Sequence, residues 1–220
     1  MTDSLINING DSVQTLEIIF LMTLISLLPS VLVMLTSFTR YIISLSFLRT
    51  AMGTQQSPPN MVLTGIAIFL TLLTMSPTLT EIYNDAYEPY AAGDISAEEF
   101  ISTASVPLKR FMLENTESST LEMFCDLADV EMAEGEDAMD LSMTVIVPSF
   151  MTSELKRAFL IGFFLYIPCM LLDMVVASTL MSMGMMMLPP SMISMPFKLL
   201  LFISVDGWEL LFSTLIRTFN

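Results

Sequence analysis

AFLIGFFLYIPCMLLDMVVASTLMSM, residues 158–183, is a run of 26 residues with a single charge, Asp173. A helix needs about 20 apolar residues to cross the hydrocarbon of a bilayer, so this run is long enough to span. Three runs of similar character flank it: Ile18 to Thr39 and Met61 to Thr80 have no charge, and Met192 to Ile216 carries only Lys198, Asp206 and Glu209. The composition agrees with the runs. At 54% apolar and 14% charged residues, with a mean hydropathy of +0.70, the chain holds more apolar surface than a soluble domain of 220 residues buries. The fold class that follows is an all-α membrane protein, with four long hydrophobic helices forming two broken hairpins around a small acidic helical insert.

Local signals divide the chain into residues 1–80 (an N-terminal segment and the first hairpin), 81–147 (the insert, outside the membrane) and 148–220 (the second hairpin). Pro29 predicts a kink in the first run. Gly53 and Pro58-Pro59 predict the turn to the second, with Asn60 as its helix cap. Glu81 to Asp140 holds 16 of the 23 acids against two bases, Lys109 and Arg110, so its solvent is water. Within it, Ser96-Ala-Glu-Glu99 and Ser119-Thr-Leu-Glu122 both fit a capping box, and Pro107 suits the first turn of a helix after Ser105. Two or three short helices are expected there, followed by a flexible acidic stretch, EMAEGEDAMD (131–140).

The net charge of −15 repels phosphate backbones, which argues against nucleic acid as a partner. Histidine is absent, removing the usual general base of hydrolases and the commonest zinc ligand. Cys125 lies in an acidic region and Cys169 in an apolar one, a poor disulfide pair. No basic region precedes the first apolar run, so MTDSLINING does not read as a signal peptide. Neither an enzyme activity nor a cofactor is expected.

Arg40 and Arg49 mark the first short loop as cytoplasmic and put the insert outside, yet Lys156 and Arg157 then fall on the wrong side. The last two runs are therefore expected to pack mainly against protein, where charges and broken backbone are tolerated. Lys198 needs an anionic partner, and Asp206, Asp173 and Glu154 are the candidates, within the chain or on another copy. Static packing and a role in gating both remain open for these charges.

MSMGMMMLPP (181–190) places Met185, Met186 and Met187 between Gly184, which breaks a helix, and Pro189-Pro190, which prevent its immediate resumption. Methionine is unbranched and polarizable and fills irregular gaps. Repeated around an axis, such a turn forms a deformable apolar collar that excludes ions by dewetting; in a chain of 21 methionines, plain packing is the competing reading. Thioether sulfurs also bind Cu(I), although adjacent residues of one turn converge poorly on an ion. Asp206 in Val-Asp-Gly-Trp and Asp173 in Leu-Leu-Asp-Met match an intramembrane aspartyl protease site poorly.

The blocks SFTRYIISLSFLRTAMGTQQSPPN (37–60), PSFMTSELKRAFLIGF (148–163), LLDMVVASTLMSMGMMMLPPSMISMPFKLLLF (171–202) and VDGW (205–208) resemble the FliP family of flagellar type III export-gate proteins. The injectisome counterpart is the SctR family, and VVASTLMSMGMMMLPP is closer to the flagellar branch. The resemblance implies a homopentamer that assembles with FliQ and FliR into a helical, conical gate in the bacterial inner membrane, at the flagellar basal body. It implies that unfolded rod, hook and filament subunits pass through. It maps the family's pore-sealing loop onto Met185, Met186 and Met187; Met183 is counted with this gate, Gly184, Pro189 and Pro190 break the loop, and Glu154, Asp173, Lys198 and Asp206 are the candidate intramembrane or interface charges. Family members often carry a cleavable signal peptide, and Glu114 to Asp140 is more acidic than the family leads one to expect. An injectisome export-gate subunit is the rival reading within the class, and a small-solute or metal transporter the rival from another class.

Overall fold

Inside oil, a backbone can satisfy its own polar groups only as helix or closed barrel, and the apolar runs become helices. The computed structural model describes residues 6–8, 11–13, 15–54, 56–130, 138–185 and 187–219. A two-stranded antiparallel ladder, β1 (Ile6–Ile8) and β2 (Asp11–Val13), precedes them, with Ile6 opposite Val13. The rest of the described secondary structure is helical.

The first run is not one kinked span. Helix α1 (Thr15–Leu35) continues through Pro29 and ends six residues later, and the chain turns by 85° into α2 (Phe38–Met52). Hydroxyls take over backbone groups freed by the break: Thr39 Oγ1 donates to the Val33 carbonyl at 2.7 Å, and Thr36 Oγ1 accepts from the Phe38 N–H at 3.3 Å. Helix α2 ends at Gly53 in the left-handed conformation (φ +76°). Pro59, not Asn60, then occupies the cap position of α3 (Asn60–Ile82), and the Asn60 side chain instead accepts from Arg49 Nη1. Tyr41 meets Thr74 and Arg49 meets Asn60, so α2 and α3 run antiparallel.

The second apolar helix does not stop where the charges begin. A π-helical turn (Tyr83–Tyr87) and α4 (Glu88–Ala92) extend it without interruption to Ala92. Helix α5 (Ala97–Glu114) opens with the complete Ser96–Glu99 capping box. Pro107 lies buried inside this one helix instead of starting another. The second capping box does not form: α6 (Ser118–Leu127) has Glu117 at its cap, with no side-chain bond there. The Glu117 N–H donates instead to Ser153 Oγ of the next long helix, at 3.0 Å. The predicted flexible acidic stretch falls mostly on 131–137, outside the described residues.

The third run is the end of a longer element, α7 (Met143–Ser182), whose 40 residues rise about 60 Å. Its start packs on the insert: Ile146 and Phe150 share a buried core with Phe111, Met112, Leu121 and Met75. The fourth run is two helices, α8 (Pro190–Ser204) and α9 (Gly207–Arg217), bent by 66° at Asp206, whose φ is +50°. Leu211 and Leu215 of α9 complete a second core with Tyr41, Leu45, Leu63 and Ala67. Two helical stretches, Asn60–Ala92 and Met143–Ser182, are long and apolar enough to cross a membrane, and up to four if each bent pair counts as one span.

Candidate functional site

The methionine turn follows from its backbone. Gly184 adopts φ +74° one residue beyond the helix cap; its N–H donates to the Met181 carbonyl (3.1 Å), and that of Met185 to the Leu180 carbonyl (3.0 Å). These are the two bonds of a Schellman motif, which satisfies the orphan carbonyls at the end of α7. Pro189 and Pro190 then begin α8, where a missing N–H costs nothing. The turn joins two helices whose side chains meet lower down, so α7 and α8 form a hairpin with the methionines at its tip. Met183 and Met185 are exposed and Met187 is 98% exposed, whereas Met186 lies outside the described residues.

Below the tip, Asp173 joins Lys198 at 2.7 Å and accepts from Ser194 Oγ. The Lys198 ammonium also donates to the Ala51 carbonyl at 3.1 Å, in the last turn of α2, where the helix dipole is negative. One cation thus ties α7, α8 and the first hairpin together. Its burial is lopsided: the Lys198 side chain is 5% exposed and that of Asp173 39%.

Glu154 does not meet Lys198. It receives both Nε and Nη2 of Arg40, with 2.8 Å at Nε, and both residues are fully buried. Nη1 of the same guanidinium donates to the carbonyl (3.0 Å) and Oγ1 (2.8 Å) of Thr218, while Cζ sits 3.5 Å from the centre of the Phe219 ring. This bidentate pair, closed by the C-terminal residues, locks α2 to α7 and to the end of α9. Arg40 is therefore a core residue and not a loop charge, which leaves Arg49 alone as the topological marker in that loop. Asp206 joins no ion pair among the described residues; it is the hinge between α8 and α9.

Close helix contact is also specified. A Cβ built on Gly162 of α7 would lie 2.5 Å from Phe47 of α2. A cleft of about 550 Å³ opens between α2, α7 and α8–α9, with Leu48, Ile161, Leu165, Phe202 and Leu211 in its walls and Lys198 at its edge. Among the described residues, no three or more His, Cys, Asp or Glu side chains are placed to share a metal ion. Arg40, Ser194, Thr218 and Gly162 were not legible as site residues: Arg40 reads in sequence as a charge of the first short loop, and Glu154 as one of three candidate partners for Lys198.

These features define a class: a helical protein of membrane-spanning character, built from apolar hairpins that buried ion pairs cross-link, with an apolar turn at one tip. The FliP family profile matches residues 21–215. The flagellar biosynthetic protein FliP of Bacillus subtilis is 48% identical over 206 residues, covering 94% of this chain and 92% of that protein. That of Pectobacterium carotovorum is 49% identical over 208 residues (94% and 79%). That of Buchnera aphidicola from Acyrthosiphon pisum is 48% identical over 209 residues, with 95% of this chain covered but only 54% of the longer relative. The chain belongs to the FliP family of flagellar biosynthetic proteins.

Proposed function

We propose that this chain is a non-enzymatic, pore-forming subunit of the flagellar protein export gate in the bacterial inner membrane. It assembles as a homopentamer with FliQ and FliR into a conical complex that passes unfolded rod, hook and filament subunits. Family membership supports the flagellar setting, and the relatives named above are all flagellar proteins. The observation that carries the pore reading is the exposed hairpin tip. Apolar side chains on a short turn gain from burial at about 25 cal/mol per Å², and in a ring of copies the turns cover one another. Met183, Met185, Met186 and Met187 then form the gasket, Gly184 and Pro189-Pro190 shape it, and the Asp173–Lys198 and Arg40–Glu154 pairs hold the hairpins at fixed depth. The acidic domain between the hairpins stays on the extracytoplasmic side.

The test is the triple substitution Met185→Ala, Met186→Ala and Met187→Ala in cells that assemble the gate. Ion leak across the inner membrane should rise while flagellar subunits are still exported. Unchanged permeability with normal export removes the gasket role. Native mass measurement of the complex in mild detergent tests the stoichiometry, and a lone monomer contradicts the assembly.

A further inference from the structure

The hairpin core, around Tyr41 and Leu215, and the insert core, around Phe111 and Phe150, are separate clusters. The long helices α3 and α7 run through both, whereas α9 contributes its buried Leu211 and Leu215 to the hairpin core alone. Among the described residues, one side chain packs against both cores: Phe219, two residues beyond the end of α9.

Its ring stands where three elements cross. Tyr41 of α2 meets it edge-on with 5.5 Å between ring centres, the Arg40 guanidinium carbon lies 3.5 Å from its centre, and Phe111 of α5 stacks on it at 6.0 Å with the planes 16° apart. An aromatic ring is attracted to each of these neighbours, to a cation over its face and to rings at its edge or in offset stacking. Among the described residues no ring contact joins Tyr41 to Phe111 directly; the other ring that Phe111 meets is Phe150, at 5.9 Å. Helix α2 and the insert therefore touch the same ring from different elements.

The backbone that carries the ring is fixed as well. The Phe219 N–H donates to the Ile216 carbonyl at 3.1 Å. Thr218 Oγ1 donates its proton to the Leu215 carbonyl at 2.6 Å, so toward Arg40 Nη1 that oxygen acts only as an acceptor. Arg40 has no exposed surface, while Thr218 is exposed and Phe219 half-buried, so these two residues are the outer cover of the seam between insert and hairpins.

We propose that Phe219 is a coupling element between the acidic insert and the hairpins. The stack on Phe111 and the contacts with Tyr41 and Arg40 stabilise one another because each holds the same ring in place. A loosening of the insert at Phe111 thereby reaches α2, and through Thr218 the end of α9, without passing along α3 or α7. The inference goes beyond the export reading and does not depend on the methionine turn.

The test is a double-variant cycle between Tyr41→Leu and Phe111→Leu, read as the unfolding equilibrium of the full chain by SDS titration in mixed micelles and repeated in a Phe219→Ala background. The Tyr41–Thr74 hydrogen bond is lost in both backgrounds and cancels. With Phe219 in place, the two substitutions should depart from additivity by about fivefold in the folding equilibrium. In the Phe219→Ala background the departure should fall below about twofold. Phe219→Leu, which keeps apolar bulk but removes the ring, serves as the background should Phe219→Ala fail to fold. A departure below about twofold with Phe219 in place, or one that stays above about twofold once the ring is gone, overturns the proposal. Neither leak nor export is read, so the outcome leaves the pore reading as it stands.

Discussion

Replacing Arg40 by Met removes a guanidinium that makes four hydrogen bonds, two to Glu154 and two to Thr218, and lies on the Phe219 ring. Glu154 is then a carboxylate with no exposed surface and no counter-ion. Stranding one member of a buried pair costs roughly 3–5 kcal/mol. Arg40→Met belongs at the upper end of that range, because the Thr218 bonds and the ring contact go with it. Glu154→Leu belongs at the lower end, because the guanidinium keeps Thr218 and the aromatic face. Replacing both partners by apolar side chains strands nothing, and the double variant Arg40→Met/Glu154→Leu should lie within about 2 kcal/mol of the parent. The coupling is therefore expected to be at least about 3 kcal/mol, a factor of more than a hundred in the folding equilibrium. Unfolding by SDS titration of the purified chain in mixed micelles measures all four corners of the cycle. A double variant as unstable as the sum of the singles would refute the assignment of Arg40 and Glu154 as a mutually dependent pair.

The pair below the methionine turn should behave asymmetrically, because its acid is more exposed than its base. In the same titration, Lys198→Met should cost about 1 kcal/mol or less, whereas Asp173→Leu should cost about 3 kcal/mol by leaving the ammonium with only the Ala51 carbonyl; the reverse order would contradict the geometry. Gly162→Ala should destabilise by about 1–3 kcal/mol through the clash with Phe47, and adding Phe47→Leu should recover much of that loss. In the insert, the Ser96 N–H donating to the Glu99 carboxylate holds Glu99 below the usual carboxylate range. The resulting support for α5 is present above the unfolded-state pKa and lost as pH falls through the lowered folded value. Hydrogen exchange of the first-turn amides of α5 in the full chain, corrected for intrinsic pH dependence, should show protection falling in that acidic window, and Glu99→Gln should flatten the response.

Run length and charge spacing made the helical segments legible, because a helix in oil is dictated by length alone. Breaks were less legible. Pro29 carries the strongest local signal in the first run, yet the helix bends at Thr36-Ser37, where neighbouring hydroxyls can serve the freed backbone groups. Asp206 resembles a membrane charge in sequence, and only its left-handed backbone marks it as a hinge. The Ser96 capping box formed and the Ser119 box did not, because the N–H at the cap of α6 is taken by Ser153 from 36 residues away, beyond the reach of any local pattern. The methionine turn was legible from its glycine and prolines, whose roles are local. Its charged supports needed the tertiary fold: Asp173 was one of three candidates for Lys198, and the arginine partner of Glu154 was hidden in a segment read as a loop flank.

The long reach of Arg40 also has a consequence in time. Its acid lies 114 residues later in the chain and its C-terminal acceptor 178 residues later. At the usual 5–20 residues per second of synthesis, Glu154 emerges roughly 6–23 s after Arg40, and Thr218 roughly 9–36 s after it. Throughout that interval the guanidinium sits near the start of an apolar helix without either partner, where an unpaired arginine favours the membrane surface over the interior. Helix α2 can take its final depth only once Thr218 has emerged, so the first hairpin to be made settles long after its own synthesis.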